Sequence, residues 1–140
     1  QKVMLFHCQL EAKMKSTNIE IRKITFNKFE FAVHQDEVTK EDGKATISVN
    51  LPDREEGQNN QIIIINMEIA YPDSRYNIYA EIEAVYSVLV TDLPEDLSTD
   101  TEFQQALIHP MIEKLRLYTG FFSEGAYGAI QIPNMHFNND

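Results

Sequence analysis

The stretch QIIIINMEIAYPDSRYNIYAEIEAVYSVLV, residues 61–90, decides the fold. Apolar and polar residues alternate through most of both halves, and a period of two is typical of β-strands with one buried face. Between the halves, the segment YPDSR places Pro72 and Asp73 where a tight turn needs them. The stretch therefore predicts a hairpin of two long antiparallel strands.

The two faces of this hairpin differ in polarity. One face is apolar along its whole length and carries Ile63, Ile65, Met67, Ile69, Tyr71, Tyr76, Ile78, Ala80, Ile82, Ala84, Tyr86 and Val88. The opposite face is apolar only in patches, at Ile62, Ile64, Tyr79, Val85 and Leu89. A single short helix cannot cover both faces, so these patches predict a second subunit or a ligand there.

Two further strands precede the hairpin. The segment NIEIRKITFNKFEFAV, residues 18–33, alternates with phase slips at Arg22-Lys23 and Asn27-Lys28. An inserted residue that shifts the phase is what a β-bulge produces. The segment KATISVNL, residues 44–51, alternates without interruption. Because no helical pattern separates the four strands, they predict one antiparallel sheet.

A helical region follows the sheet. Thr99 and Glu102 fit a capping box, and Pro110 predicts that a first short helical piece breaks at His109. A main helix is expected to begin near Pro110, in PMIEKLRLYTGFF. Its apolar stripe is predicted to contain Met111, Leu115, Tyr118 and Phe122. The predicted class is α+β, a four-stranded antiparallel sheet with a main helix packed on one face, in an oligomer.

The chain is short and acidic. Its 140 residues carry 22 acidic and 12 basic side chains, a formal charge of −10. This charge argues against a nucleic-acid partner and against an anionic membrane surface. The apolar runs are too short to cross a bilayer and no signal peptide is evident, so we expect a cytoplasmic protein. We expect one domain over residues 1–140, with 1–17 as an N-terminal extension of uncertain structure.

Groups that could carry chemistry are scattered along the sequence. The four histidines stand far apart at His7, His34, His109 and His136, and Cys8 is the single cysteine. An adjacent His7-Cys8 pair is poorly spaced to chelate one metal ion. No glycine-rich phosphate loop and no G-x-S-x-G motif occurs. We therefore expect no enzyme, no metal and no cofactor.

Several segments resemble the SecB export-chaperone family in their order. IEIRKITF (residues 19–26) is similar to the family's opening strand, and GAYGAIQIPNMHF (residues 125–137) is similar to its closing segment. Glu81-Ile82 followed by VYSV resembles an inner strand, and His109-Pro110 stands where the family has Cys-Pro. The resemblance covers most of the chain from about Asn18 onward.

The resemblance implies an assembly and a binding surface. SecB subunits form dimers of dimers, and unfolded clients wrap along apolar surface grooves. Carried over by position, the client-binding groove would contain Ile47, Val49, Leu51, Tyr127, Ile130 and Ile132. The alternative for each of these side chains is that it packs inside the protein's own core.

Departures from the family pattern concern the SecA translocase motor. Lys23 and Asn27 stand where the family presents acids to SecA, and few residues follow Phe137 where the family has a long tail. We therefore expect weak or absent SecA binding and a divergent SecB-like protein, as in phage-borne or toxin–antitoxin-associated relatives. The hypothesis is an ATP-independent holdase for unfolded or precursor polypeptides. The alternatives are a regulatory protein with one dedicated partner, or a small-molecule cup, which a closed cavity would favour.

Overall fold

The computed structural model describes residues 19–36, 38–39, 41–135 and 137–139. The predicted N-terminal extension, with His7 and Cys8, lies outside these residues, as does His136. The described chain contains strands β1 (Ile19–Val33), β2 (Gly43–Asn50), β3 (Asn60–Pro72), β4 (Tyr76–Leu89) and β5 (Phe137–Asn139). A 3-10 turn at Val90–Asp92 follows β4, and helix α1 (Thr101–Tyr127) precedes β5.

The strands form one sheet in the order β1-β4-β3-β2-β5. The first four pair antiparallel, which confirms the predicted α+β class with one main helix. The fifth strand pairs in parallel with β2 and was not predicted. Its three residues are too few to carry a recognisable alternating pattern.

The β3–β4 hairpin forms as predicted. The Asp73 amide donates a 2.8 Å hydrogen bond to the Tyr76 carbonyl and closes the turn. The fully apolar face of both strands is the core of the protein, and residues such as Ile63 and Ala84 have no exposed surface. This face is the one that α1 covers.

Two β-bulges interrupt β1 at the predicted phase slips. The pairing register with β4 shifts between Ile21 and Lys23, and again between Phe26 and Lys28. Each bulge absorbs one residue, so that the large apolar residues of β1 lie opposite residues of the buried face of β4. Seven residues share this position: Ile19, Ile21, Ile24, Phe26, Phe29, Phe31 and Val33.

The predicted helix break at His109-Pro110 is wrong, because α1 continues through Pro110 without interruption. Proline removes the amide donor that the Ala106 carbonyl would use, and its ring crowds the preceding turn. Leu107 and Met111, one turn before and one residue after the proline, are both buried against the sheet. Their burial holds the helix together across the proline.

A buried tyrosine fixes the same turn of the helix. The Tyr86 hydroxyl, which lies on the core face of β4, donates a hydrogen bond to the Leu107 carbonyl. Burial raises the pKa of the Tyr86 phenol above its ordinary value, so the group remains a neutral donor at physiological pH. The sheet thus binds the helix at the turn where its internal hydrogen bonding is weakest.

The helix start also differs from the prediction. The Asp100 carboxylate accepts a 3.0 Å hydrogen bond from the Phe103 amide and is the N-cap. The Thr99 hydroxyl instead donates to the Asp96 carbonyl at 3.2 Å, so the predicted Thr99 capping box is wrong. Asp is as good an N-cap as Thr, and the choice between adjacent capping residues depends on the preceding turn.

Only half of the predicted apolar stripe is buried. Met111 and Leu115 are in the core, whereas Tyr118 and Phe122 are exposed at the side of the helix and contact the aromatic residues of β1. The buried line continues instead through small residues. It consists of Phe103, Leu107, Met111, Leu115, Thr119, Gly120 and Ser123.

Replacing the proline should stabilise the protein. In Pro110→Ala the helix regains a backbone hydrogen bond and loses a steric clash, together worth up to about 3 kcal/mol. Without the proline the unfolded chain has greater conformational freedom, which offsets about 0.4–1 kcal/mol of this stabilisation. We expect urea unfolding to show a net gain of about 1–2 kcal/mol. The control Pro133→Ala, outside any helix or strand, should show no gain, and a loss in Pro110→Ala would contradict this account.

Candidate functional site

An apolar groove opens on the helix side of β2 and has a volume of about 510 Å³. One side of it is formed by the strand, with Ile47 and Val49, and by Leu51 just after the strand ends. The other side is formed by the segment before the helix and by the first half of α1. The full lining comprises Ala45, Ile47, Val49, Leu51, Ile65, Leu97, Ser98, Gln104, Leu107 and Ile108.

The groove is open because the helix does not cover β2. Helix α1 packs on β1 and β4. On β3, Met67 and Ile65 are the residues that pair with Ile47 and Val49 of β2. Both are buried, with 0–1% of their surface exposed. One strand further out, Ile47 and Val49 are 39% and 53% exposed, and Leu51 beyond them is 45% exposed. Each of these side chains therefore belongs to the apolar face of the sheet but remains in contact with solvent.

The wall opposite β2 is held in place by hydrogen bonds. The Gln104 side chain donates to the Leu97 carbonyl at 2.6 Å and ties the segment before the helix to its first turn. The Asp96 carboxylate accepts from the Ser98 hydroxyl at 2.6 Å and from the Ser98 amide at 3.0 Å. These two bonds lower the pKa of Asp96, so a fixed negative charge stands at the rim.

The structure brings three of the six predicted residues together at this groove and adds residues that were not singled out. Ile47, Val49 and Leu51 come together as expected from their alternation, whereas Leu97, Gln104 and Ile108 were not singled out. Gln104 and Ile108 join the site because the first helical piece and the main helix form one continuous helix from Thr101, and Leu97 lies in the segment just before it. The i, i+4 spacing of Phe103, Leu107 and Met111 runs across Pro110 and is the pattern that could have revealed one continuous helix.

The three tail residues predicted for the same groove do not line it. The Tyr127 hydroxyl donates to the Arg75 carbonyl at 2.8 Å, and the Arg75 guanidinium stacks 4.8 Å from the centre of the Tyr127 ring. Ile130 and Ile132 are exposed and lie against Gly120 of the helix. The tail therefore forms a second apolar surface, separate from the groove.

Hydrogen bonds from the helix hold the irregular tail. The Gln131 amide donates to the Ser123 hydroxyl oxygen at 2.9 Å, and Arg116 Nε donates to the Pro133 carbonyl at 2.9 Å. These contacts satisfy tail backbone groups that no strand pairs. Residues 129–135 can therefore present apolar side chains while following the helix surface.

The two positions predicted to face SecA lie on β1. The Lys23 ammonium is 3.1 Å from the Glu83 carboxylate of the neighbouring strand. Asn27 falls between the paired residues Phe26 and Lys28, at the second bulge. Lys23 therefore pairs with an acid of its own sheet.

Among the described residues, no cluster of three or more His, Cys, Asp or Glu side chains is arranged to hold a metal ion. Within the same residues, no helix is both long and apolar enough to span a bilayer.

Comparison with known proteins shows similarity at the level of fold. No family model and no curated protein matches the sequence. A protein of unknown function from Streptococcus agalactiae superposes with a TM-score of 0.69 at 13% identity, over 85% of this chain and 98% of that one. A second match is the SecB-like chaperone Rv1957 from Mycobacterium tuberculosis, in complex with a ChAD peptide from the HigA1 antitoxin. Its TM-score is 0.46 at 12% identity, over 91% of this chain and 95% of that one. The Streptococcus match places the chain in an α+β fold that a solved protein shares.

A larger side chain at Gly120 should detach the tail. A Cβ atom there would meet Ile132 Cγ1 at 3.1 Å and Ile130 Cγ2 at 3.3 Å, whereas a Cβ atom at Gly125 of the same helix meets nothing within 4 Å. We expect Gly120→Val to be about 1–3 kcal/mol less stable than the matched Gly125→Val in urea unfolding. Hydrogen exchange in residues 129–135 should accelerate in Gly120→Val alone. Equal stability and equal exchange in the two variants would contradict the packing of the tail on Gly120.

Proposed function

We propose that this protein is an ATP-independent holdase of the SecB kind, which binds non-native or precursor polypeptides in the cytoplasm. The observation that carries the proposal is the open groove, in which Ile47, Val49 and Leu51 expose apolar surface on a strongly acidic protein. A contiguous apolar surface of this kind marks an interaction site. The ordered resemblance of the sequence to the SecB family supports the same function. No nucleotide, metal or other cofactor enters the proposal.

The size of the groove limits how tightly it can hold a client. Two client side chains buried there contribute roughly 3–6 kcal/mol, at about 1.5–3 kcal/mol each. Lost translational and rotational freedom costs about 4–15 kcal/mol on association. A single groove is therefore a weak site, and firm holding requires one client to occupy several grooves together.

This requirement agrees with an assembly of subunits, and we propose a dimer of dimers. The single chain leaves Leu117 and Phe121 of α1 exposed by 52% and 64%, besides the tail surface. On the face of the sheet that points away from the helix, Leu89 is also exposed, and Ile62, Ile64 and Val85 are only partly buried. Contacts between subunits would remove such surface from water.

Light scattering at micromolar concentration should give the mass of four chains. Phe121→Asp should shift the mass towards smaller species, because a carboxylate in an apolar interface must be desolvated. Val33→Asp places the same charge on a half-exposed residue of β1 and serves as the comparison. A monomeric wild type would refute the assembly.

SecA docking is not part of the proposed function. At the position where the family presents an acid, this chain has Lys23. The positive charge of Lys23 is already paired with Glu83. A basic site on a partner would be repelled rather than attracted at this position.

The holdase activity can be tested with two matched valines. Val49 and Val33 are 53% and 50% exposed, both lie on the helix side of the sheet, and Val49 alone lines the groove. Val49→Asp should weaken client binding roughly tenfold or more, because each docking client must then desolvate a carboxylate. Val33→Asp should protect an aggregating client as well as the wild type does.

The readout is aggregation of a heat-unfolded client at equimolar chaperone without ATP, with circular dichroism to verify that both variants fold. A folded Val49→Asp protein that protects fully would exclude the groove as the client site. The same assay on Ile130→Asp measures the contribution of the tail surface.

The dedicated-partner alternative is favoured by the length of the groove. Residues 47–51 extend over roughly 13–16 Å at about 3.3 Å per residue, enough for one short segment. A wild type that protects no client, but retains one cellular partner through Val49, would establish this alternative. The small-molecule cup has less support, because the groove is open to solvent.

A further inference from the structure

Within the part of the chain that the structure describes, the outer edge of β2 is only partly occupied. Strand β5 pairs in parallel with residues 43–45. Among the described residues, no strand lies beside the outer edge of residues 46–50. The unoccupied edge coincides with Ile47 and Val49, the strand residues that line the groove.

The two edges of the sheet are built differently. Strand β1 carries two bulges and a mixture of charges, including Arg22, Lys23 and Lys28. Bulges and charged side chains are the devices that protect an edge strand from pairing with another chain. Residues 46–50 have none of them: they contain no charge and no proline, and their register with β3 is regular.

Side chains along this edge alternate in a way that suits an added strand. Ile47 and Val49 pair with Met67 and Ile65 on the buried face of β3, and they point to the helix side. Thr46, Ser48 and Asn50 occupy the other face. A strand placed next to β2 would direct every second side chain into the groove, because neighbouring strands share the pleat of the sheet.

We propose that the polypeptide partner binds as an extended strand that pairs with residues 46–50 of β2, with an apolar side chain at every second position entering the groove. This inference rests on the proposed function and specifies how the partner is recognised. Main-chain hydrogen bonds supply sequence-tolerant affinity, and the groove selects apolar side chains with a period of two.

A strand fits this edge better than a helix does. A helix has satisfied its own backbone groups, so it would cover the groove and leave the β2 edge without partners. Strand β5 shows that the chain already places an extended segment against the same edge, just before the unoccupied residues. The added strand continues the sheet from the point where β5 ends.

The test compares two fluorescent nine-residue peptides of identical composition. Each contains four leucines, four serines and one terminal lysine. In one peptide leucine and serine alternate, and in the other the leucines stand at positions 1, 4, 5 and 8, the spacing of a helix face. Fluorescence anisotropy with the wild-type protein should show at least tenfold tighter binding of the alternating peptide. Val49→Asp should weaken that binding, and Val33→Asp should not.

Backbone pairing is tested by N-methylation of the alternating peptide. Successive amides of a strand point to opposite sides, so methylating one alternate set removes the bonds to β2 while methylating the other set spares them. We expect at least a tenfold loss with one set and little change with the other. On the protein, amides within residues 46–50 should gain protection from hydrogen exchange when the peptide binds.

The outcomes separate this inference from the proposed function. If both peptides bind through Val49 with equal affinity and neither methylated set weakens binding, strand addition is refuted while the groove remains the client site. If no peptide binds at any concentration and no client is protected, the inference and the proposed function both fail.

Discussion

One helix must cover one face of a sheet that is wider than the helix, and the remaining features follow from this mismatch. A helix with its side chains is about 10–12 Å across, and strands lie about 4.8 Å apart, so one helix shields two or three strands. Helix α1 packs on β1 and β4, and the core residues of β3 are still sealed. The apolar side chains of β2 are left at the margin, and the groove is the result.

The position of the helix gives the groove a second side opposite β2. Because α1 begins at Thr101 and continues through Pro110, its first turns lie beside β2 and bring Gln104 and Ile108 to the groove. The hydrogen bond from Tyr86 to Leu107 and the burial of Met111 hold the helix at the turn that proline weakens. A helix that began at Pro110 would have left β2 exposed without an opposite wall.

Strand β1 and residues 46–50 of β2 expose apolar side chains and limit aggregation in different ways. The bulges of β1 keep its apolar residues in phase with the core, and together with its charges they blunt the edge against pairing. At β2 the described residues leave a short, uncharged edge next to the groove, and a net charge of −10 opposes aggregation. Self-association through the groove is opposed by that repulsion, while an apolar segment of another polypeptide meets less of it.

The sequence by itself determined the elements whose pattern is local. Alternation predicted all four long strands, the phase slips at Arg22-Lys23 and Asn27-Lys28 predicted both bulges, and the alternation of residues 45–51 predicted that Ile47, Val49 and Leu51 share a face. Only the tertiary structure decided the helix through Pro110, the N-cap at Asp100, the pairing of β5 and the separation of Tyr127, Ile130 and Ile132 from the groove. The N-cap depends on the turn that precedes it. The other three depend on contacts between separate elements, such as Tyr86 with Leu107 or Gly120 with Ile132. Packing energy of that kind overrides local propensity, such as the tendency of a proline to end a helix.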